Sequence, residues 1–188
     1  VLLTGDLALT AHPKALGDKL ENPNITTDFS ESQIELITNP YPDVEETYQA
    51  LKALHLEVEK ALENEYLWPM SMPPRLPEEE DIPIAKFNAS TEGRKRTIYR
   101  KGLALRYGKK MQMICGLHYN FAFGEAIMDY LFHHYGQNRT KREFTDEIYF
   151  AVARNFLKYR WLLIYLFGAS PVFHSSYKPI PDIDLEAA

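Results

Sequence analysis

The chain lacks the features that mark several common classes of protein. One cysteine, Cys115, stands among 188 residues, so no internal disulfide can form and a reducing compartment is expected. The 21 Lys and Arg are outnumbered by 26 Asp and Glu, and a net charge of −5 argues against a general nucleic-acid binder. The longest strongly apolar run, residues 161–169, is too short to span a bilayer. We therefore expect a cytoplasmic globular protein, with neither nucleic acid nor membrane as its partner.

Residues 32–43 predict a strand followed by a capped helix. Ile34 and Leu36 share one face of the strand, and Glu35 lies on the other. Two prolines close the strand, and Asp43 is placed to cap the helix that follows. The apolar stripe of that helix includes His55, which we interpret as a packed core residue rather than a ligand.

Residues 109–123 alternate in character and predict a long central strand. Gln112, His118 and Asn120 would share its polar face with Gly116, while Cys115 would lie on the core face. A glycine lets a ligand approach the backbone closely, so the polar face is a candidate floor for an active site.

The remaining elements are a turn and three helices. The first ten residues predict a hairpin around Thr4-Gly5-Asp6, and residues 97–107 predict a helix that ends at Gly108. A short helix over 124–135 precedes a long one, capped by Thr145, with Phe156 facing inward and Pro171 preventing its restart. Residues 178–188 predict a flexible tail, which leaves 1–177 as the folded domain.

Two acids, an imidazole and a guanidinium suit a site for a hard cation and a phosphate. Asp28 and Glu35 are acids that are costly to bury unless a cation or an arginine meets them. Arg100, beside Tyr99, presents a rigid fork to carboxylates and phosphates. Simpler alternatives exist: Asp28 as a helix cap, Glu35 at an exposed edge, and His118 hydrogen-bonded inside the sheet.

Five separated segments, in this order, resemble the bacterial glutamate–cysteine ligase family. They are Ile25-Thr26-Thr27-Asp28-Phe29 with Glu35, and then residues 68–73, 99–107, 116–121 and 165–171. The likeness covers nearly the whole chain. It extends to the N-terminal half of the fused glutathione biosynthesis protein of some bacteria.

The resemblance implies an α+β, glutamine-synthetase-like fold: a partial curved antiparallel sheet with helices packed on its outer face. It implies ligation of the glutamate γ-carboxylate to the cysteine amine through a γ-glutamyl phosphate, with ATP as co-substrate. Oxygen ligands with one imidazole fit Mg²⁺ or Mn²⁺ better than zinc.

The resemblance also assigns roles to individual residues by their positions in the matching segments. The metal ligands would be Asp28, Glu35 and His118, and the walls of the cysteine pocket would be Phe29 and Tyr99. Arg100 would face the substrate and act catalytically, and Gln112 and Asn120 would join His118 at the nucleotide.

The chain departs from the family pattern at both ends. The family carries a Glu-x-Glu pair on a strand before the opening turn, and nothing before Val1 supplies it. We therefore expect a piece of the ligase with little activity alone, in a homo-oligomer or with a complementing chain. The alternatives are a non-catalytic remnant serving as an interaction module, and another carboxylate–amine ligase of the same superfamily.

Overall fold

The computed structural model describes residues 1–168 and 173–177, which fall into two compact units. The first contains residues 1–116 and 173–177, and the second contains residues 117–168. The predicted tail at 178–188 and Pro171 lie outside the described residues. The α+β class is confirmed: the described residues contain four α-helices and a two-stranded antiparallel sheet.

The sheet is a hairpin of β1 (Ile25–Thr27) and β2 (Ile34–Leu36). Its register pairs Ile25 with Leu36, Thr26 with Glu35, and Thr27 with Ile34. The apolar face packs on a core of Leu16, Ile25 and Val58. The predicted strand is confirmed at its centre, and Glu35 is exposed on the opposite side from that core.

The first helix, α1 (Val44–Ala61), begins where its cap was predicted. The Asp43 carboxylate accepts hydrogen bonds from the backbone N–H groups of Glu45 and Glu46. The prediction that His55 is a core residue is wrong, because its side chain is exposed and its Nδ1 lies 2.9 Å from the Leu51 carbonyl oxygen. The residues of α1 that pack on the core beneath the hairpin are Leu54, Val58, Ala61 and Leu62.

The second helix, α2 (Thr91–Tyr107), ends at Gly108 as predicted. It begins six residues earlier than expected, because the Ser90 hydroxyl caps it by accepting from the Gly93 N–H. Gly108 has a φ of +80°, which L side chains rarely adopt. Residues packed beside this helix form the second core of the unit, which contains Leu7, Phe29, Leu76, Ile82, Met113 and Tyr177.

The predicted long strand over 109–123 is wrong. Lys110–Met113 form a short 3-10 helix, and no strand is assigned between residues 114 and 124. The chain is held in this turn at Lys109, whose N–H donates to the Glu79 carboxylate and whose ammonium donates to the Glu80 and Ile82 carbonyls. An alternating pattern forms a strand only where a partner strand accepts its hydrogen bonds, and the part of the chain that the structure describes supplies none.

The predicted hairpin at the N-terminus is also wrong, although its turn is present. The Gly5 N–H donates to the Leu2 carbonyl at 3.0 Å, which closes a tight turn. The chain then pairs with a distant segment, because Asp6 forms a parallel bridge with Arg75 and an ion pair with its guanidinium. The expected second strand of the hairpin is therefore absent, and the segment at Arg75 pairs with Asp6 in its place.

The second unit contains α3 (Glu125–Tyr135) and α4 (Lys141–Phe167). Thr140 caps α4 through a capping box with Glu143, so the predicted cap, Thr145, lies inside the helix. The predicted inward residue Phe156 is exposed, whereas Phe144 is buried and packs near Phe132 with ring centroids 5.8 Å apart. Among the described residues, no helix is both long enough and apolar enough to cross a bilayer.

Candidate functional site

The hairpin places Asp28 and Glu35 on the same face. Directly opposed residues of an antiparallel pair point to one side, so Glu35 shares its face with Thr26 and with Asp28, two positions further on. The Asp28 N–H donates to the Gln33 carbonyl at 3.0 Å, which continues the pairing beyond β1. Diagonal neighbours on a sheet face lie about 7–8 Å apart. Both carboxylates are exposed, so they can be approached together from solvent.

Arg100 contacts the end of β1 with its guanidinium. One terminal nitrogen donates to the Thr27 carbonyl at 3.1 Å, and Nε donates to the carbonyl of Asp28. The other terminal nitrogen donates to the Arg96 carbonyl at 3.2 Å, one turn back along α2. A guanidinium carries five N–H donors, so two remain after these three bonds. The guanidinium of Arg100 therefore holds the end of β1 in place and still has two N–H donors for a ligand.

Burial and the two acids shift the pKa of Arg100 in opposite directions. Burial lowers the pKa of the guanidinium, and the negative charges of Asp28 and Glu35 act in the opposite direction. The guanidinium lies 4.6 Å from the centre of the Phe87 ring, within the range of a cation–π contact. The negative charges of both acids therefore reach the guanidinium of Arg100 at this end of the hairpin.

Three other predicted site residues occupy different settings in the first unit. Phe29 is only 2% exposed and packs in the core with Leu7 and Leu76. Tyr99 is 65% exposed on α2 beside Arg100. Gln112 lies in the 3-10 helix, where its carbonyl accepts from Gln33 Nε2 at 3.0 Å. The roles proposed for Phe29 and Tyr99 in a cysteine pocket stay predictions.

His118 and Asn120 belong to the second unit, in an exposed stretch without strand or helix. Over residues 1–168 and 173–177, no three His, Cys, Asp or Glu side chains are grouped so as to hold a metal ion. The two hairpin carboxylates offer the oxygen ligands that Mg²⁺ prefers, but they form only part of a coordination shell. The three-ligand set with His118 stays a prediction.

Sequence reasoning missed Glu31, the most strongly hydrogen-bonded acid near the site. Its carboxylate is 7% exposed and lies 2.7 Å from the Lys19 ammonium through each oxygen. It also accepts from the backbone N–H groups of His12 at 3.0 Å and Lys86 at 2.6 Å. Burial raises the pKa of the Glu31 carboxyl. The hydrogen bonds from Lys19 and from the two N–H groups together lower it by a larger amount, so the net shift is downward. No sequence spacing reveals this, because all three partners lie in other segments.

His12 is buried beside the same loop. Its Nδ1 lies 3.1 Å from the Thr27 hydroxyl, and its Nε2 has no hydrogen-bond partner among the described residues. Burial and the nearby Lys19 charge lower the pKa of the imidazole. The imidazole therefore packs against β1 at Thr27, the residue before Asp28.

Comparison with known proteins agrees with the segments singled out above. The family model described as glutamate–cysteine ligase matches residues 1–186. The chain is 58% identical over 183 residues to the glutamate–cysteine ligase of Clostridium acetobutylicum, covering 97% of this chain and 38% of that protein. It is 51% identical to the glutathione biosynthesis bifunctional protein of Clostridium perfringens, covering 93% of this chain and 22% of that protein.

Two solved structures share the fold. One is the glutamate–cysteine ligase of Francisella tularensis in complex with AMP, with a TM-score of 0.84, 39% identity, and coverage of 95% of this chain and 35% of that one. The other is a bifunctional glutathione synthetase from Pasteurella multocida, with a TM-score of 0.84, 32% identity, and coverage of 98% and 26%. The chain thus spans 22% to 38% of the length of these relatives.

Proposed function

Since this chain belongs to the glutamate–cysteine ligase family, we propose that it contributes part of an active site that joins glutamate to cysteine with the use of ATP. The chain covers 38% of a relative that is 58% identical to it, so the rest of the site would come from other parts of a full-length enzyme. The observation that carries the proposal is the hairpin face on which Asp28 and Glu35 lie near the guanidinium of Arg100.

The proposed reaction has two steps. The γ-carboxylate of glutamate attacks the terminal phosphorus of ATP, so that ADP leaves and an acyl phosphate forms. The amine of cysteine then attacks the acyl carbon, phosphate departs with the bonding electrons, and the amine loses a proton. Negative charge gathers on phosphoryl oxygens in both steps, and a protein accelerates such transfers chiefly by positioning and by neutralising charge.

The residues of the hairpin face suit these tasks. Asp28 and Glu35 would hold Mg²⁺, which when bound neutralises phosphate charge, and His118 would be a third ligand. Arg100 would direct its two remaining N–H donors to a carboxylate or to the transferred phosphoryl group. Its three bonds to backbone carbonyls support this role, because they hold the fork in one orientation before any ligand arrives.

The Francisella tularensis structure supports a nucleotide at this family's site, because that protein was solved in complex with AMP. We extend the nucleotide to this chain as ATP. Gln112 and Asn120 would contact it together with His118, and Phe29 and Tyr99 would border the cysteine.

A chimera tests the proposal directly. This chain replaces the matching 183 residues of the Clostridium acetobutylicum relative, and release of ADP is measured with and without glutamate and cysteine. We expect ADP release that requires both amino acids and that falls at least a hundredfold in Asp28→Asn. Glu59→Gln, an exposed acid on α1, is the matched control and should keep the rate.

The outcomes separate the alternatives. A folded chimera without ADP release would contradict the ligase role and favour a non-catalytic interaction module. A rate of ADP release that is unchanged in Asp28→Asn would show that the hairpin face is not part of the active site. ADP release that accepts other amines in place of cysteine would identify a different carboxylate–amine ligase.

A further inference from the structure

The loop that joins the two candidate metal ligands is held in place from several sides. It runs from Asp28 to Gln33, between the end of β1 and the start of β2. The Glu31 N–H donates to the Pro83 carbonyl at 3.0 Å, and the Ser30 hydroxyl donates to the same carbonyl at 2.7 Å. The loop therefore cannot shift without breaking contacts to residues more than 50 positions away.

Glu31 is the charged centre of these contacts. One of its oxygens accepts from the Lys86 N–H and the other from the His12 N–H, and Lys19 donates to both. Three separate segments of the chain thus converge on one carboxylate. Lys19 is attached to the hairpin a second time, because its carbonyl accepts from the Thr26 hydroxyl at 2.8 Å.

The arrangement requires a carboxylate rather than a side chain of equal shape. An amide would replace one oxygen by an NH₂ group, so either the Lys86 N–H or the His12 N–H would face a donor. Buried donors that lose their acceptor are strongly disfavoured, and the loop would relax to relieve the contact. Because Asp28 is the first residue of this loop and Glu35 follows it in β2, relaxation would change the separation of their carboxylates.

We propose that Glu31, held by Lys19, is a positioning residue that sets the spacing of the Asp28 and Glu35 carboxylates for a divalent cation. This inference rests on the proposed function, because it assumes that these two acids bind the metal. Glu31 itself is buried among four donor contacts and does not touch the cation. Its effect is transmitted through the backbone of the loop.

The first test measures metal affinity without activity. Mn²⁺ is titrated into the 188-residue chain, and free Mn²⁺ is followed by electron paramagnetic resonance. Removing a partner that orients a metal ligand typically weakens metal binding 10- to 100-fold, so we expect Glu31→Gln to raise the Mn²⁺ dissociation constant about tenfold. Lys19→Met should raise it less, because the carboxylate keeps both backbone N–H donors. Glu59→Gln is the control and should leave it unchanged.

The second test separates positioning from a general loss of structure. In the chimera, Glu31→Gln should raise the Mg²⁺ concentration needed for half-maximal ADP release about tenfold, and excess Mg²⁺ should restore most of the maximal rate. A residue that only stabilises the fold would lower the maximal rate and leave the Mg²⁺ requirement unchanged. That result, or an unchanged Mn²⁺ affinity in a folded Glu31→Gln chain, would overturn the inference.

Two further comparisons keep the result decisive. If Glu31→Gln does not fold, Lys19→Met carries the test: a raised Mn²⁺ dissociation constant supports positioning, and an unchanged one overturns it. Asp28→Asn distinguishes the two proposals. If Asp28→Asn loses Mn²⁺ binding and Glu31→Gln binds normally, the metal site is supported and only the positioning role of Glu31 is overturned. If Asp28→Asn itself binds Mn²⁺ normally, the proposed metal site is overturned.

Discussion

Replacing Arg100 by lysine tests whether its guanidinium holds the end of β1. The three hydrogen bonds to the carbonyls of Thr27, Asp28 and Arg96 need a planar fork. A lysine ammonium at the same place can keep about one of them, so two carbonyls lose a charged donor. Because the site is only half-buried and water can replace part of each bond, we assign about 1 kcal/mol to each loss. Removing the planar cation from Phe87 adds about 0.5–1 kcal/mol.

The expected result is a loss of about 2.5–3 kcal/mol in the free energy of unfolding of the first unit. With a urea dependence of about 2 kcal/mol per molar, the midpoint should fall by about 1.3–1.5 M. The chain has two tryptophans, so Trp161→Phe leaves Trp68 as a fluorescence probe located in the first unit. Urea titrations of Arg100→Lys in that background give the measurement.

Arg94→Lys provides the control, because Arg94 is exposed on the same helix. Its midpoint should move by less than about 0.3 M, since surface substitutions usually change stability by less than 0.5 kcal/mol. Equal midpoints for the two variants would refute the reasoning. The guanidinium would then have no structural task, and all of its donors would be available to a ligand.

Three further predictions concern stability. Gly108→Ala should cost about 1–2 kcal/mol in urea unfolding, because φ is +80° there, whereas Gly102→Ala, in open space inside α2, should gain about 0.5–1 kcal/mol. Val58→Ala should cost about 2 kcal/mol, because the side chain is fully buried against the hairpin and two methyl groups are lost. The stability difference between the wild-type chain and Glu31→Gln should be largest above pH 4.5, where the carboxyl is ionised in both the folded and the unfolded chain. It should shrink as the pH falls below 4.5 towards the lowered pKa of Glu31 in the folded chain, because protonation then removes the advantage of the carboxylate.

Each of these predictions has a result that would contradict it. Equal effects of the two glycine substitutions would mean that the backbone at residue 108 relaxes freely. A loss at Val58 no larger than that of Val44→Ala, an exposed valine of the same helix, would mean that α1 does not rest on the hairpin. A stability difference for Glu31→Gln that does not shrink as the pH falls below 4.5 would show that its cost comes from shape rather than from charge.

Local signals in the sequence predicted local structure well. The cap at Asp43, the end of α2 at Gly108 and the centre of β2 are confirmed, because each depends on residues a few positions apart. The cap of α4 was misplaced by five residues, although Thr140 with Glu143 has the same capping-box pattern. Thr145 has Ile148 at the same spacing, so the capping-box signal in the sequence favours Thr140.

Contacts between distant segments could not be predicted. The alternation at 109–123 predicts a strand with a core face, but a strand also needs a partner, and Lys109 is instead bound to residues 79–82. Of the predicted core face Met113 is buried, whereas Leu117 and Tyr119 are exposed. His55 was placed in the core from periodicity alone, and the true contact face is set by where the hairpin lies. In the candidate site, the Asp28 and Glu35 pair follows from strand register, whereas the Glu31 contacts join segments that no spacing rule connects.

The Arg100 contact also bears on the order in which this region assembles during folding. The paired strands are close neighbours in sequence, and a hairpin of this kind closes within microseconds. The bond from Arg100 to Thr27 joins residues 73 positions apart, so it forms only after the intervening chain has collapsed. We therefore expect the two acids to come together before the arginine does, so that their charges lie side by side until the long-range contact forms.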